Sequence, residues 1–230
     1  MKKGIAASKG YAIGKVFLQE HEEIVVTDAK ISDIAAEKEK LQKALDESKS
    51  QLETIKAKAL EEMGAEKAEV FEAHITLLDD PEFTGAMMSE IESNSVNGLK
   101  AIQSVADSFV AIFESMDNEY MRERAADIKD VSKRILANFA GKGGDGFAIT
   151  ENNTVVVAHD LTPSDTAGLD RTKVVGFITD IGGRTSHAAI MARTLEIPAV
   201  LGLGDITKCV KNGDMVIVDG ITGDVIINPS

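Results

Sequence analysis

The sequence predicts an α/β domain that is interrupted by an inserted all-α helical bundle. Strand-like patterns occur at both ends of the 230-residue chain, whereas amphipathic helical patterns fill its middle. The apolar runs near the carboxyl end are short and nearly continuous, which is typical of strands covered on both faces of a sheet. We therefore expect residues 1–30 and 143–230 to form one discontinuous α/β domain and residues 31–142 to form the inserted helical subdomain.

The first strands are predicted at the amino terminus. Residues 4–18, GIAASKGYAIGKVFL, are small, apolar and interrupted by glycine, and this pattern favours two short strands. Because the segment is too short to bury a core alone, we expect it to complete the sheet formed by the carboxyl-terminal residues.

Two helices are predicted in the first half of the insert. The first begins after Ser32 as N-cap, carries an apolar stripe on one face and ends at Gly64. The second is the stretch AEKAEVFEAHITLLDD, which carries five apolar residues: Val70, Phe71, Ile75, Leu77 and Leu78.

Three further helices complete the insert. Asp80 and Pro81 predict an N-cap followed by proline at the first position of a third helix. Apolar residues at helical spacing indicate a fourth helix over residues 99–116 and a fifth over residues 120–139. The five helices together predict a bundle of helix pairs.

The pattern changes after the glycine-rich stretch GKGGDG, which we interpret as a hinge. Strand-like runs follow, separated by turns or short helices: TVVVAHD, KVVGFITD, IPAVLG, MVIVDG and DVIIN. Such alternation indicates an α/β arrangement.

The charge of the chain restricts its partners. The formal net charge is −13, and residues 60–95 hold ten acidic residues and a single base, Lys67. This distribution disfavours nucleic acid and anionic membranes and favours a basic protein partner, although the same acids also promote solubility. The chain has no apolar run long enough for a bilayer, no recognisable signal peptide and one cysteine, Cys209, so we expect a cytoplasmic protein.

One histidine motif suggests chemistry. Residues 173–179 predict a buried strand, residues 182–183 a tight turn that needs positive φ, and Thr185 or Ser186 the N-cap of a short helix. His187 then lies in the first helical turn, where unpaired backbone N–H groups and the helix dipole favour an anion. Phosphate is the anion that this geometry suits best.

Histidine adds a nucleophile to that setting. One nitrogen of a neutral imidazole can attack phosphorus while an acceptor, the hydroxyl of Thr166 or a backbone carbonyl, holds the other as N–H. Arg184 and Ser186 either offset the phosphoryl charge or are exposed turn residues. The alternative is that His187 is a helix-start histidine with no chemical role.

The motif resembles a known family. GGRTSHAAIMAR, followed by IPAVLG, closely resembles the phosphohistidine signature of enzyme I of the bacterial phosphoenolpyruvate:sugar phosphotransferase system. Related domains of pyruvate phosphate dikinase and phosphoenolpyruvate synthase share the Gly-Gly-x-x-Ser-His core, so this motif alone does not separate them. Other stretches resemble enzyme I in order and spacing, so that the resemblance covers essentially the whole chain: AEKAEVFEAHITLLDD, NEYMRERAADIKDVSKRIL, DLTPSDTA and VVGFITD.

The resemblance implies an α/β phosphohistidine (swivelling-type) domain with an inserted helical-bundle subdomain that docks the histidine phosphocarrier protein HPr. It implies that His187 is the active-site histidine, phosphorylated on Nε2, and that Thr166 hydrogen-bonds the unphosphorylated ring. Lys67 matches a helical-subdomain lysine near the active site, or is a solvated lysine. The other supporting candidates are Gly183, Arg184 and Ser186.

The acidic helices become the expected docking face, because the carrier of this family presents a basic and apolar surface around its own histidine. Six residues are docking candidates by position: Glu66, His74, Leu77, Asp80, Phe83 and Arg124. Each is alternatively an ordinary surface or core residue, and Leu77 and Phe83 also fit an inward-facing pattern.

Two features set this chain apart from the family pattern. His159 stands where the family has a small residue, so it is either a second imidazole near the site or a surface residue. The carboxyl-terminal domain that binds phosphoenolpyruvate and Mg²⁺ in the family lies outside this chain. We therefore expect no metal or cofactor here, no autophosphorylation by the isolated chain, and a monomer.

The sequence supports one hypothesis and leaves two alternatives. In the first, His187 relays a phosphoryl group from phosphoenolpyruvate to a histidine of HPr. In the second, the chain is the swivelling domain of a pyruvate phosphate dikinase or phosphoenolpyruvate synthase. In the third, it is a non-catalytic module that binds an anion or a protein.

Overall fold

A computed structural model describes residues 1–19, 24–143, 149–167 and 169–229. The chain divides into two compact units, residues 1–22 with 146–230 and residues 23–145. The first unit is α/β and the second is all-α, so the predicted insertion of a helical bundle into a discontinuous α/β domain is confirmed.

One mixed sheet organises the described part of the α/β unit. Its strands are β1 Lys2–Lys3, β2 Ile5–Ser8, β3 Tyr11–Leu18, β4 Thr154–Ala158, β5 Val174–Thr179, β6 Ala199–Leu201, β7 Met215–Asp219 and β8 Asp224–Ile227. The strand order is β1-β8-β7-β3-β4-β5-β6-β2, with β3 to β6 parallel to one another. Residues 4–18 do complete the sheet as the two predicted strands, β2 and β3, and β1 precedes them.

Burial differs between the centre and the edges of this sheet. Every residue of β4 and β6 is buried, as the continuous apolar runs predicted, whereas β7 and β8 alternate between buried and accessible residues. The expectation of cover on both faces is therefore wrong for the last two strands. The described part of this unit also contains three helices: α6 Pro163–Ala167, α7 His187–Thr194 and α8 Ile206–Cys209.

The two faces of the sheet carry different helices. Val155 and Val157 of β4 pack in one apolar cluster with Ile206 of α8. Because side chains alternate along a strand, Val156 points to the opposite face. The buried residues of α7 do not belong to the α8 cluster, and they lie on that opposite face.

The described part of the helical unit contains the five predicted helices: α1 Ile34–Met63, α2 Ala65–Asp79, α3 Pro81–Asn94, α4 Gly98–Ser115 and α5 Glu119–Phe139. Gly64 ends α1 as expected, but its N-cap is Asp33 rather than Ser32, because the Asp33 carboxylate accepts from the backbone N–H of Ala36 at 2.9 Å. Asp80 caps α3 through the N–H of Glu82 at 2.8 Å, with Pro81 following as predicted. No described helix is long and apolar enough to cross a membrane.

The first boundary between the units lies earlier than residue 30. Lys30 pairs with Val96 as an isolated β-bridge, and the side chain of Asn97 donates to the backbone carbonyls of Thr27 and Ala29. These contacts attach residues 24–30 to the helices. Part of the GKGGDG hinge lies outside the described residues.

Candidate phosphohistidine site

A strand, a turn and a helix position His187. Strand β5 ends at Thr179, Gly182 takes a φ of 109°, and Ser186 caps α7, of which His187 is the first residue. The Ser186 hydroxyl donates to the carbonyl of Gly183 at 2.8 Å and accepts from the N–H of Ala189 at 3.4 Å. The structure therefore selects Ser186, not Thr185, as the N-cap.

The two glycines of the turn have different roles. Gly182 requires the left-handed conformation that side chains disfavour. Gly183 is not in that conformation, and a Cβ added there would meet nothing within 4 Å. The expectation of positive φ is wrong for Gly183, whose contribution is the carbonyl that holds the Ser186 hydroxyl.

The hydroxyl of Thr166 contacts the ring of His187. Thr166 lies in α6, is 2% exposed, and its Oγ1 is 3.3 Å from Nε2 of His187. The same oxygen lies 3.0 Å from the carbonyl of Pro163 and 3.2 Å from that of Thr162, to which it can only donate. The hydroxyl has a single proton: if a carbonyl takes it, Nε2–H donates to Oγ1, and if Nε2 takes it, that nitrogen keeps its lone pair. In both cases the contact is with the nitrogen that the resemblance marks for phosphorylation, not with the opposite nitrogen that an N–H holder would bind.

Helix α6 is held in place by a reciprocal cap. The carboxylate of Asp165 accepts from the N–H of Thr162 at 3.0 Å, and the hydroxyl of Thr162 accepts from the N–H of Asp165 at 3.2 Å. Gln19 donates to the same carboxylate at 3.1 Å. Sequence reasoning missed these residues, although Thr162-x-x-Asp165 has the spacing of a capping box.

The accessibility of His187 suits a group that reacts. His187 is half-buried, in contrast to the fully buried alanines that follow it in α7. The first turn of a helix presents backbone N–H groups and the positive end of the helix dipole. A phosphoryl group bonded to this ring would meet a favourable electrostatic field.

Arg184 lies beside a different feature. It is exposed and lines an open cavity of about 540 Å³ together with Lys9, Arg193 and Glu196, and His187 is not among the residues that line this cavity. Arg193 donates to the carbonyl of Arg184 at 3.0 Å. These contacts favour the second of the two alternatives for Arg184, an exposed turn residue, over a residue that offsets the phosphoryl charge.

His159 lies at the same edge of the sheet as the phosphohistidine motif but on the other face. It continues the alternation of Val155 and Val157, the residues that pack against α8. Its Nδ1 is 3.1 Å from Oδ2 of Asp180, the residue that follows β5. The second imidazole therefore follows the α8 face of the sheet rather than the face that carries α7.

In the helical unit, four of the expected residues are accessible. Glu66 is exposed, Leu77 and Asp80 are half-buried, and Arg124 lies 3.9 Å from the carboxylate of Asp127. Lys67, the expected helical-subdomain lysine, is half-buried with its Nζ 3.6 Å from the Glu66 carboxylate.

Two docking candidates are wrong because they belong to the core of the helical unit. His74 is completely buried; its Nε2 is 3.1 Å from Asp127 and its ring packs edge-on against Phe71. Phe83 is also completely buried and packs edge-on against Phe109 at 5.1 Å between ring centroids. Neither side chain can touch a partner in this structure, because each one fastens neighbouring helices together.

Within the described ranges, no group of three or more His, Cys, Asp or Glu side chains is arranged to hold a metal ion. The imidazole, the hydroxyl and the helix terminus are the groups that this site offers for chemistry.

Two family models match the chain. The model described as PEP-utilising enzyme, N-terminal, matches residues 3–124, and the model described as PEP-utilising enzyme, mobile domain, matches residues 150–223. The first match covers more than half of the sequence. The chain therefore belongs to the family of PEP-utilising enzymes.

Curated relatives narrow the comparison to one kind of enzyme. Phosphoenolpyruvate-protein phosphotransferases from Listeria innocua, Latilactobacillus sakei and Geobacillus stearothermophilus are 50%, 51% and 51% identical over 228, 229 and 227 residues. These matches cover 99% of this chain and 40%, 40% and 39% of the relatives. The chain thus spans about two fifths of their length.

Solved structures agree with this assignment. A solution NMR structure of Enzyme I has a TM-score of 0.88 and 48% identity, with 100% of this chain and 94% of that chain covered. The N-terminal domain of Enzyme 1 - Nitrogen has a TM-score of 0.70 and 25% identity over 100% of this chain and 94% of that chain. The resemblance to the amino-terminal part of enzyme I is confirmed.

Proposed function

We propose that this chain is the phosphoryl-relay module of a phosphoenolpyruvate-protein phosphotransferase. His187 accepts a phosphoryl group from phosphoenolpyruvate, which a carboxyl-terminal part of the whole protein binds, and passes it to a histidine of HPr. The observation that carries the proposal is the half-buried His187 at the capped start of α7, with its Nε2 on the hydroxyl of Thr166.

The chemistry requires only the imidazole as nucleophile. The ring reacts as the tautomer that carries hydrogen on Nδ1. The lone pair on Nε2 of His187 then attacks phosphorus, the P–O bond of phosphoenolpyruvate breaks, and the departing enolate takes a proton to become pyruvate. In the second step the imidazole of HPr attacks the same phosphorus and the N–P bond to His187 breaks. Positioning and the local field supply most of the acceleration. Mg²⁺ would act in the carboxyl-terminal part, with phosphoenolpyruvate.

Thr166 defines the resting position of the ring. Its hydroxyl contacts Nε2 itself, so the contact must break before phosphorus can occupy that nitrogen. At 3.3 Å the hydrogen bond is long, and a long neutral hydrogen bond stabilises by only about 0.5 to 1 kcal/mol. The hydrogen bond therefore orients the ring in the resting state, and breaking it adds only a small free-energy cost to phosphorylation.

The accessible acids of the helical unit form the proposed docking surface for HPr. Glu66 is 88% exposed, and among the described residues no cation lies within ion-pairing distance of Asp80 or Glu82. Several other acids are already paired within the unit, for example Asp79 with Lys49. Asp80, Glu82 and the highly exposed Glu66, whose carboxylate lies 3.6 Å from Nζ of Lys67, are the carboxylates that we propose to attract a basic partner.

An apolar residue extends this surface. Phe109 of α4 packs on Phe83 near the start of α3, and Ile112 lies one turn further along the same side of α4 with 52% of its surface exposed. We include Ile112 and the half-buried Leu77 in the proposed surface because an association between proteins needs apolar contacts at its centre. Sequence reasoning did not single out Ile112.

Isotope transfer from phosphorylated HPr tests the relay. We expect the wild-type chain to take up the label reversibly and H187A to take up none, while H74Q remains competent because His74 only supports the helices. Transfer that is unchanged in H187A, or absent from the wild type, contradicts the proposal. The isolated chain should not react with phosphoenolpyruvate alone.

The salt dependence of binding tests the docking surface separately. Changing Glu66 to Gln and Asp80 to Asn should slow association with HPr and weaken its salt dependence, because steering by charge acts on the rate of encounter. Asn at position 80 keeps a side chain able to cap α3. The control carries the same charge change on the α/β unit, at Glu151 and Glu196. Equal effects in both variants would contradict this docking face.

A further inference from the structure

A buried carboxylate holds a second histidine at the edge of the sheet. Nδ1 of His159 is 3.1 Å from Oδ2 of Asp180. Asp180 is itself fixed by Thr207 of α8, whose backbone N–H donates to Oδ1 at 3.0 Å and whose hydroxyl donates to Oδ2 at 2.6 Å. The relay at His187 makes no use of this arrangement.

The carboxylate determines which nitrogen of His159 carries hydrogen. Burial raises the pKa of Asp180, but hydrogen bonds from Thr207 and His159 outweigh burial and hold that pKa below its ordinary value. Asp180 is therefore an anion at neutral pH and can only accept hydrogen bonds. Nδ1 of His159 must donate, so in the neutral ring the lone pair is on Nε2.

The side of the ring that carries Nε2 is accessible. The side chain of His159 is 65% exposed, whereas that of Asp180 is 4% exposed. Within the described ranges, no residue forms a hydrogen bond with Nε2 of His159, in contrast to Nε2 of His187, which contacts Thr166. Because Nδ1 is directed at the buried carboxylate, the exposed surface of the ring belongs to its Nε2 edge.

We propose that His159 is a second phosphoryl-accepting histidine, which takes a phosphoryl group on Nε2 from small-molecule donors with a labile P–N bond and not from HPr. The Nε2 lone pair attacks phosphorus, the new N–P bond forms, and the P–N bond of the donor breaks with its electron pair left on the donor nitrogen. Nδ1 keeps its proton, and the Asp180 carboxylate stabilises the positive charge that the ring acquires. An imidazole oriented by a third group is the arrangement expected of an activated nucleophile.

The new site is independent of the relay. His159 is on the α8 face of the sheet, and α7 with His187 is on the opposite face, so each imidazole can react while the other is absent. A small P–N donor needs neither HPr nor the rest of the enzyme. A result that contradicts phosphorylation of His159 therefore does not contradict the relay at His187, and the reverse also holds.

Phosphoramidate is the probe for this site. The wild-type chain, H187A, and H187A with D180N are incubated with it, with N-acetylhistidine in the same solution as the reference for an unassisted imidazole. Phosphorus NMR and mass spectrometry without acid identify the residue and the nitrogen. We expect H187A to be phosphorylated at Nε2 of His159 about tenfold faster than the reference, and D180N to remove that advantage, the factor expected of one charge-assisted hydrogen bond.

Three results would overturn the proposal: reaction of His159 at the rate of the reference, reaction at both nitrogens, or an unchanged rate in D180N. If D180N does not fold, nitrogen NMR of the wild-type ring decides instead. A protonated Nδ1 with a bare Nε2 supports the proposal, and a protonated Nε2 in the neutral ring overturns it.

Discussion

Replacing Thr166 by valine should shift the phosphorylation equilibrium of His187 toward the phosphorylated form. Valine has nearly the same shape but no hydroxyl, so the 3.3 Å contact with Nε2 is lost. That contact exists only before phosphorylation, because phosphorus afterwards occupies the nitrogen. Its removal destabilises the resting state and leaves the phosphorylated state unchanged.

The size of the shift follows from the length of the contact. A neutral hydrogen bond contributes about 0.5 to 1.5 kcal/mol, and one longer than the usual O–H distances belongs in the lower half of this range. About 0.5 to 1 kcal/mol corresponds to a factor of about two to five in the equilibrium constant. The Thr166 hydroxyl also binds the carbonyl of Pro163 at 3.0 Å, so T166V should melt at a slightly lower temperature as well.

Phosphorus NMR of the chain mixed with phosphorylated HPr gives the equilibrium directly, from the ratio of the two phosphohistidine signals. T166S keeps the hydroxyl and is the matched control, for which we expect the wild-type ratio. A smaller ratio of the phosphorylated His187 signal to the phosphorylated HPr signal in T166V than in the wild type would show that the hydroxyl binds the phosphoryl group instead. An unchanged ratio would show that the contact has no energetic weight.

Three further changes test other parts of the structure. S186A removes the N-cap of α7 and should lower the free energy of unfolding, measured by urea titration, by about 0.5 to 1 kcal/mol, because the hydrogen bond between Ser186 and Ala189 is long. An unchanged free energy of unfolding would show that Ser186 does not stabilise the helix as a cap. F83A should lower the free energy of unfolding by about 3 to 5 kcal/mol because it leaves a cavity in the core. If F83A weakened HPr binding without lowering stability, Phe83 would be a docking residue and not a core residue. The pKa of Asp180 is lower in the folded chain than in the unfolded chain. Its contribution to the free energy of unfolding is therefore fully present above the ordinary pKa of about 3.9 and is lost as the pH falls through the pKa of the folded state. Unfolding of D180N should therefore depend less on pH between about 5 and 2 than that of the wild type, and equal dependence contradicts the assignment.

Features set by neighbouring residues were predictable from the sequence. Gly64 ends α1, Asp80 and Pro81 open α3, and Gly182 takes positive φ, because each depends on the local conformational preference of one or two residues. The five amphipathic helices were also predictable, since each repeats an apolar stripe over several turns. Choosing Asp33 over Ser32 was not possible, because both are good N-caps at adjacent positions.

Features set by packing were not predictable from local pattern. His74 stands in a helical stretch rich in acids, and only its contact with Asp127 shows that it faces inward. Phe83 fitted both a docking residue and an inward-facing pattern, and its contact with Phe109 decides between them. Residue chemistry left the Thr166 hydroxyl and a backbone carbonyl as alternative partners of the His187 ring, and the resemblance to enzyme I favoured Thr166. The face occupied by His159, in contrast, follows from simple alternation along β4, once that strand is taken to continue through His159.

The most direct test of the relay is the position of phosphorus in the chain after incubation with phosphorylated HPr. Coupling between phosphorus and labelled ring nitrogens identifies both the histidine and the nitrogen. We expect one phosphoryl group transferred from HPr on Nε2 of His187, and none on that ring's Nδ1. Phosphorus on any other atom of His187, or a His187 ring that stays unmodified while HPr loses its label to the chain, would contradict it.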